Sequence, residues 1–189
     1  MIAPLPVPGT RKNLARRTFN RILHWLARNS PGAMSLRPFL HRLRGVRLGQ
    51  DVFIGDEVYL ENEFPEKVSI GDRTVLSVRS IIIAHTQGVG EVTIGRNVWI
   101  GPGSMVICTQ GRKLTIGEGA VISHGAVVGH NVAREIIIAP PRSMAIGRAT
   151  YPMTGPGGFA KFVEGMRLLS QEEKGTETRP HESPGPDGS

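Results

Sequence analysis

The chain holds six histidines and one cysteine, and among them His85 has the setting of a general base. It closes the run RSIIIAHTQG, residues 79–88, where aliphatic side chains satisfy the packing and nothing requires an imidazole. A ring with an ordinary pKa of about 6.5 can accept a proton near neutral pH. A carboxylate on its other nitrogen would fix the tautomer and favour the charged ring. Glu63 is the expected carboxylate, with Glu66 in reserve should the stretch FPEKVS displace it. After His85, QGVGE carries two glycines and reads as a flexible lip. His124 and His130 stand six apart. His124 is taken as a surface residue and His130 as a candidate lining of the same groove. With His85 they supply three imidazoles, the number that a catalytic zinc takes. Cys108 is taken as a small groove-lining residue and not as a nucleophile.

These residues must be positioned by a repeat. From Leu48 an aliphatic residue followed by a small or polar one recurs every six positions: LGQDVF, IGDEVY, then IGDRTV, IGRNVW, IGPGSM, IGEGAV. Leu48, Ile70, Ile94 and Ile116 each open three such hexads. The pattern has neither the period of two of a strand nor the 3.6 of a helix. Six closing after eighteen describes a triangular coil with three short sides, stacked on its neighbours by parallel ladder bonds about 4.8 Å apart. The aliphatic residues point inward. So do Val52, Val58, Thr74, Ser80, Val98, Ser104, Ala120 and Ala126 in the second inward slot, with Thr86 assigned to the same slot after His85. A glycine after the aliphatic residue relieves a Cβ clash at the corner. Glu63, His85, Thr109 and Asn131 share one corner column, which is why Glu63 is expected under His85.

The fold class is therefore an all-β solenoid of about five triangular coils, with an N-terminal helical cap and a short C-terminal helix. Residues 1–47 form a basic helical module, 48–150 the solenoid, 151–171 an extension with the short helix, and 172–189 a disordered tail. REIIIAPPRSMAIGRAT is expected to add one irregular turn. The first 50 residues contain ten Lys or Arg and no acid, so the net charge of +7 belongs to this module. Within it, residues 10–29 read as a helix capped by Thr10, with Ala15, Phe19, Ile22 and Leu26 as its apolar stripe; a second short helix ends at Gly45. The stripe is expected to cover the open end of the solenoid, with an anionic membrane as the alternative partner. Nucleic acid is not expected, since no aromatic-basic interleaving accompanies the charge. One cysteine excludes a disulfide framework and thiolate clusters. No apolar run approaches 18 residues and the N-terminal segment lacks the order of a signal peptide, so a cytoplasmic setting, peripheral to the membrane at most, is expected.

From Leu48 to about Arg148 the chain resembles the hexapeptide-repeat acyltransferases, in the branch that O-acetylates sugars and cell-surface glycan precursors, and this implies that the solenoid is a left-handed parallel β-helix. FPEKVSIGDRTVLSVRSIIIAHT and VTIGRNVWIGPGSMVI carry the resemblance. It implies acetyl-CoA as acyl donor, a homotrimer with active sites between subunits, and a sugar or lipid-linked glycan as acceptor. It implies His85 as the catalytic base and Trp99, Gly101 and Gly103 beside the coenzyme. Direct transfer would leave no chemical role for Cys108. APPRSMAIGRAT is similar to the family's closing stretch but departs from its Gly-Asn-Pro-Ala-Lys ending, where Arg148 would meet a coenzyme phosphate. Two other readings remain: a trimeric zinc enzyme of the carbonic-anhydrase kind, whose histidine pair stands five apart and not six, and a non-catalytic β-helix scaffold.

Overall fold

The computed structural model describes residues 14–109, 111–141, 147–152, 154 and 156–170. The expectations for Thr10, for residues 1–13 and for the 172–189 tail fall outside them. The chain divides into two compact units, residues 1–140 and 141–189.

The first unit opens with two helices, α1 (Leu14–Asn29) and α2 (Leu36–Arg44), the second ended by Gly45 at φ 108°. A parallel β-solenoid follows, made of three sheets. Sheet one stacks Arg47–Leu48, Val68–Ile70, Glu91–Ile94 and Lys113–Ile116. Sheet two stacks Phe53–Ile54, Val75–Leu76, Trp99–Ile100, Val121–Ile122 and Ile137–Ile138. Sheet three stacks Tyr59–Leu60, Ile81–Thr86, Met105–Thr109 and Val127–Val128. The register repeats the sequence period, as in Ile54↔Leu76↔Ile100↔Ile122. All eight small or β-branched residues from Val52 to Ala126 assigned to the second inward slot are buried.

The glycines after the aliphatic residues serve the approach of one coil to the next. A Cβ on Gly71 would lie 2.7 Å from the Gly95 carbonyl carbon, and one on Gly95 would lie 2.8 Å from the Glu118 nitrogen. Positive φ is needed elsewhere, at a corner column held by Asp51, Arg73, Asn97 and Gly119.

Two expectations are corrected. The stack has four full coils, not five: Ile137–Ile138 and the bridge from Val132 to Ile116 begin a fifth turn that is not completed. Gly147–Ala149 does not join it, pairing antiparallel with Met166–Leu168 within the second unit, beside a short helix, Gly158–Glu164.

The other correction concerns the cap. α1 buries Asn20, Leu23, His24 and Ala27, while Phe19, Ile22 and Leu26 of the expected stripe are exposed. The first coil offers a polar edge, not an apolar one, and three arginines of α2 satisfy it. Arg37 donates to the Ile54 carbonyl at 3.0 Å, Arg42 to Gly49, and Arg44 to Leu60 and Glu61 at 3.3 and 2.7 Å. The N–H of Ile54 donates to the Ala33 carbonyl. Backbone groups that a free strand edge would leave to water are thus paired.

Candidate active site

His85 stands near the end of the longest strand of sheet three, Ile81–Thr86. Strand alternation sends Ile82 and Ala84 inward, both fully buried, and Ile81, Ile83 and His85 outward. The ring keeps 34% of its side-chain surface exposed.

Its carboxylate partner is Glu61, not Glu63. Glu61 Oε2 lies 2.6 Å from His85 Nδ1 and also accepts the Ala84 N–H at 2.8 Å. Oε1 accepts the N–H groups of Glu63 and Phe64 at 2.8 and 3.1 Å. The side chain is wholly buried, yet both oxygens are engaged by donors, which is what makes a buried carboxylate tolerable. With three main-chain donors fixing the carboxylate, its fourth partner must donate too. Nδ1 therefore carries the proton, and Nε2 is left with a lone pair to accept one. The edge of Phe64, 6.0 Å between ring centroids, packs on the imidazole.

The expected corner column is broken because the first coil leaves sheet three early. Its strand ends at Leu60, whereas the next coil continues to Thr86. Glu61 turns into the space beneath Ala84, and a 3-10 turn at Pro65–Lys67 carries the chain onward. The stretch FPEK thereby brings the N–H groups of Glu63 and Phe64 back onto Glu61. A charged residue directly after the inward Leu60, where the next two coils carry Ile83 and Ile107, is the sequence signal that was available. Glu63 faces α1 and pairs with Arg17 and Arg21, each at 3.3 Å. Burial pushes its carboxyl up, but the hydrogen bonds and charge of these arginines outweigh that and hold it below its usual value.

The lip after His85 is tied down. Gln87 and Gly88 turn at φ 59° and 130°, and the Gly90 N–H returns to the Ala84 carbonyl at 2.6 Å. Thr86 is half-buried; the inward slot belongs to Ala84. Cys108 is buried in the core, its thiol 3.2 Å from the Arg112 carbonyl, so it lines no groove. His124 and His130 are exposed; His130 follows sheet three at the corner beyond His85, two coils along. Among the described residues, no group of three or more His, Cys, Asp or Glu side chains is gathered to hold a metal ion. Trp99 projects outward from sheet two, with Gly101 and Gly103 at the following corner, so they do not share the face of His85. Arg148 lies in the second unit.

No family model matches the chain. It is 32% identical over 120 residues to YvoF of Bacillus subtilis (strain 168), a protein assigned by name to the acetyltransferases; the match takes in 60% of this chain and 66% of that one, just under two thirds of the relative. The hexapeptide-repeat acetyltransferase VCA0836 of Vibrio cholerae, in complex with acetyl coenzyme A, superposes with a TM-score of 0.52 at 17% identity, over 86% of this chain and 90% of that one. Its fold is that of the hexapeptide-repeat acetyltransferases. A maltose O-acetyltransferase from Clostridium difficile 630 matches with a TM-score of 0.41 at 25% identity, over 66% of this chain and 81% of that one. Within this fold, the paired Glu61 and His85 are the described residues best arranged to handle a proton.

Proposed function

We propose that this chain transfers an acetyl group from acetyl-CoA to a hydroxyl of a sugar or glycan precursor, with His85 as general base. The observation that carries the proposal is the buried Glu61 carboxylate bonded to His85 Nδ1, which leaves Nε2 as the acceptor on a part-exposed ring. A sugar hydroxyl is a weak nucleophile until a base within about 3 Å takes its proton. Acetyl-CoA supplies an activated thioester. His85 Nε2 removes the hydroxyl proton as the oxygen bonds to the carbonyl carbon, then returns it to the departing sulfur as the carbon–sulfur bond breaks. Glu61 holds the ring through the cycle. The thiol of Cys108 is spent on a core carbonyl, in keeping with direct transfer.

The outward faces support a second element of the reading, a trimer with shared sites. Sheet one presents Arg47, Ser69, Thr93 and Thr115, all polar. Sheet two presents Phe53, Val75, Trp99, Val121 and Ile137; sheet three presents Tyr59, Ile81, Met105 and Val127. Two apolar faces beside one polar face suit a heterologous contact that closes into a ring. Packing sheet three of one copy against sheet two of the next would set His85 opposite the partner copy's Trp99, Gly101 and Gly103 side.

The test is acetyl-CoA turnover with a panel of sugar acceptors, read with the oligomer mass of the same sample. His85→Ala is expected to lower kcat by about 10²–10⁴-fold with the mass unchanged. Turnover within a few-fold of the unaltered protein would overturn the assignment.

A further inference from the structure

The helical module covers the first coil with one side only, and its other side is apolar and framed by arginine. On α1, Leu14, Phe19, Ile22, Trp25 and Leu26 are exposed, the tryptophan at 65%. They occupy the arc opposite the buried Asn20, Leu23, His24 and Ala27. On α2, Leu36, Phe39 and Leu43 are exposed opposite Arg37, Leu40, His41 and Arg44. Leu23, Ala27 and Leu40 join the helices to each other, so the outward residues are not needed for that contact.

We propose that this surface docks on an anionic lipid bilayer. Burying these side chains in the interface would remove their apolar surface from water, and no described residue of the first unit covers them. Charge selects the occupant. No acid occurs in the first 50 residues. Arg16 lies 5.8 Å over the ring of Phe19 on one border of the arc. Arg17 and Arg21 flank the other border, about half to two-thirds exposed, and share a single carboxylate, Glu63. A second copy facing this surface would set arginines against arginines. An anionic headgroup layer would neutralise them while its acyl boundary takes Trp25, Phe19 and Ile22. Among the described residues no helix is long and apolar enough to cross a membrane, so the contact is peripheral. Through Arg17, Arg21 and Glu63, α1 is tied to the segment that builds the carboxylate of His85. If the proposed acetyl transfer holds, docking would favour acceptors borne on lipid.

The experiment is flotation of the full chain with phosphatidylcholine vesicles, with and without phosphatidylglycerol. Anionic vesicles are expected to carry at least about ten-fold more protein than neutral ones, with the difference falling as salt rises through the Debye-screening range. The double variant Ile22→Ser/Trp25→Ser is expected to lose flotation and to keep turnover of a soluble acceptor. Equal flotation with both vesicle types, or none with either, would overturn the proposal, and the salt series on the unaltered chain decides this without any variant. A rise in oligomer mass with concentration that the double variant abolishes would also overturn it, by assigning the face to a second copy. Loss of transfer by His85→Ala concerns the chemistry alone, so the two failures are distinguishable.

Discussion

At the scale of the residue, the site is a division of labour between two coils: Glu61 belongs to the first and His85 to the second. Glu61→Gln replaces one acceptor oxygen with a donor amide that meets the Ala84 N–H and the ring nitrogen. The imidazole is then expected to change tautomer, placing its proton on Nε2 where the acceptor hydroxyl should give one up. Turnover should fall by about 10²-fold or more with little change in KM for acetyl-CoA, and imidazole ¹⁵N shifts should report the exchanged proton. An intact Nδ1–H signature in this variant would count against Glu61 as the positioning residue. His85 was legible in the sequence because it interrupts an aliphatic run without a packing reason. Glu61 was harder to place, because a shared corner column requires each coil to keep its strand to the same length, and the first coil's strand ends at Leu60, one residue after Tyr59.

At the scale of the element, the helical cap trades an apolar contact for a polar one, and this has a cost in acid. His24 is buried, neither ring nitrogen has a hydrogen-bond partner, and its ring meets the edge of Tyr59 at 4.7 Å. Burial first, then the charges of Arg44 and Arg28, lower its pKa to about 3. His41 is lowered in the same direction, by burial and by Arg44 and His24. Between the unfolded value of 6.5 and the folded value, the unfolded chain binds a proton that the folded chain refuses. Stability is therefore lost as pH falls through that window, by at most ~1.4 kcal/mol per pH unit for His24, with no contribution above it. His24→Phe keeps the ring contact and removes the proton site. Urea unfolding at pH 7, 5 and 4, at fixed protein concentration, should show a shallower loss for the variant; parallel slopes would mean that His24 does not drive it. The two helices themselves were legible from spacing, but their inward faces were not. Hydrophobic periodicity marks an apolar side without saying whether a core or something else awaits it, and here the inward surface is a strand edge that needs donors.

At the scale of the whole molecule, the period of six carried most of the architecture. The buried column and the second inward slot followed from it because every coil repeats the same demand. Coil number was overcounted because REIIIAPP matches the pattern for only part of a turn. The two apolar faces were also latent in the sequence, at positions between the inward ones: Phe53, Val75, Trp99 and Val121 on one and Tyr59, Ile81, Met105 and Val127 on the other, beside the polar Arg47, Ser69, Thr93 and Thr115. Replacing one outward residue by a charge, as in Val127→Glu, leaves the core untouched. It is expected to shift the mass of the assembly toward that of one chain while the far-ultraviolet spectrum keeps its β signature. An unchanged mass would remove that face from the contact.

A solenoid whose repeats touch only their neighbours opens from its ends, and the carboxylate on which His85 depends is carried by a terminal rung. The site is thereby wired to the part of the stack that frays first, with the arginines of α2 acting as its clasp. Mild urea should silence turnover at a lower concentration than it melts the sheets, and the gap between the two midpoints would gauge how firmly that clasp is shut.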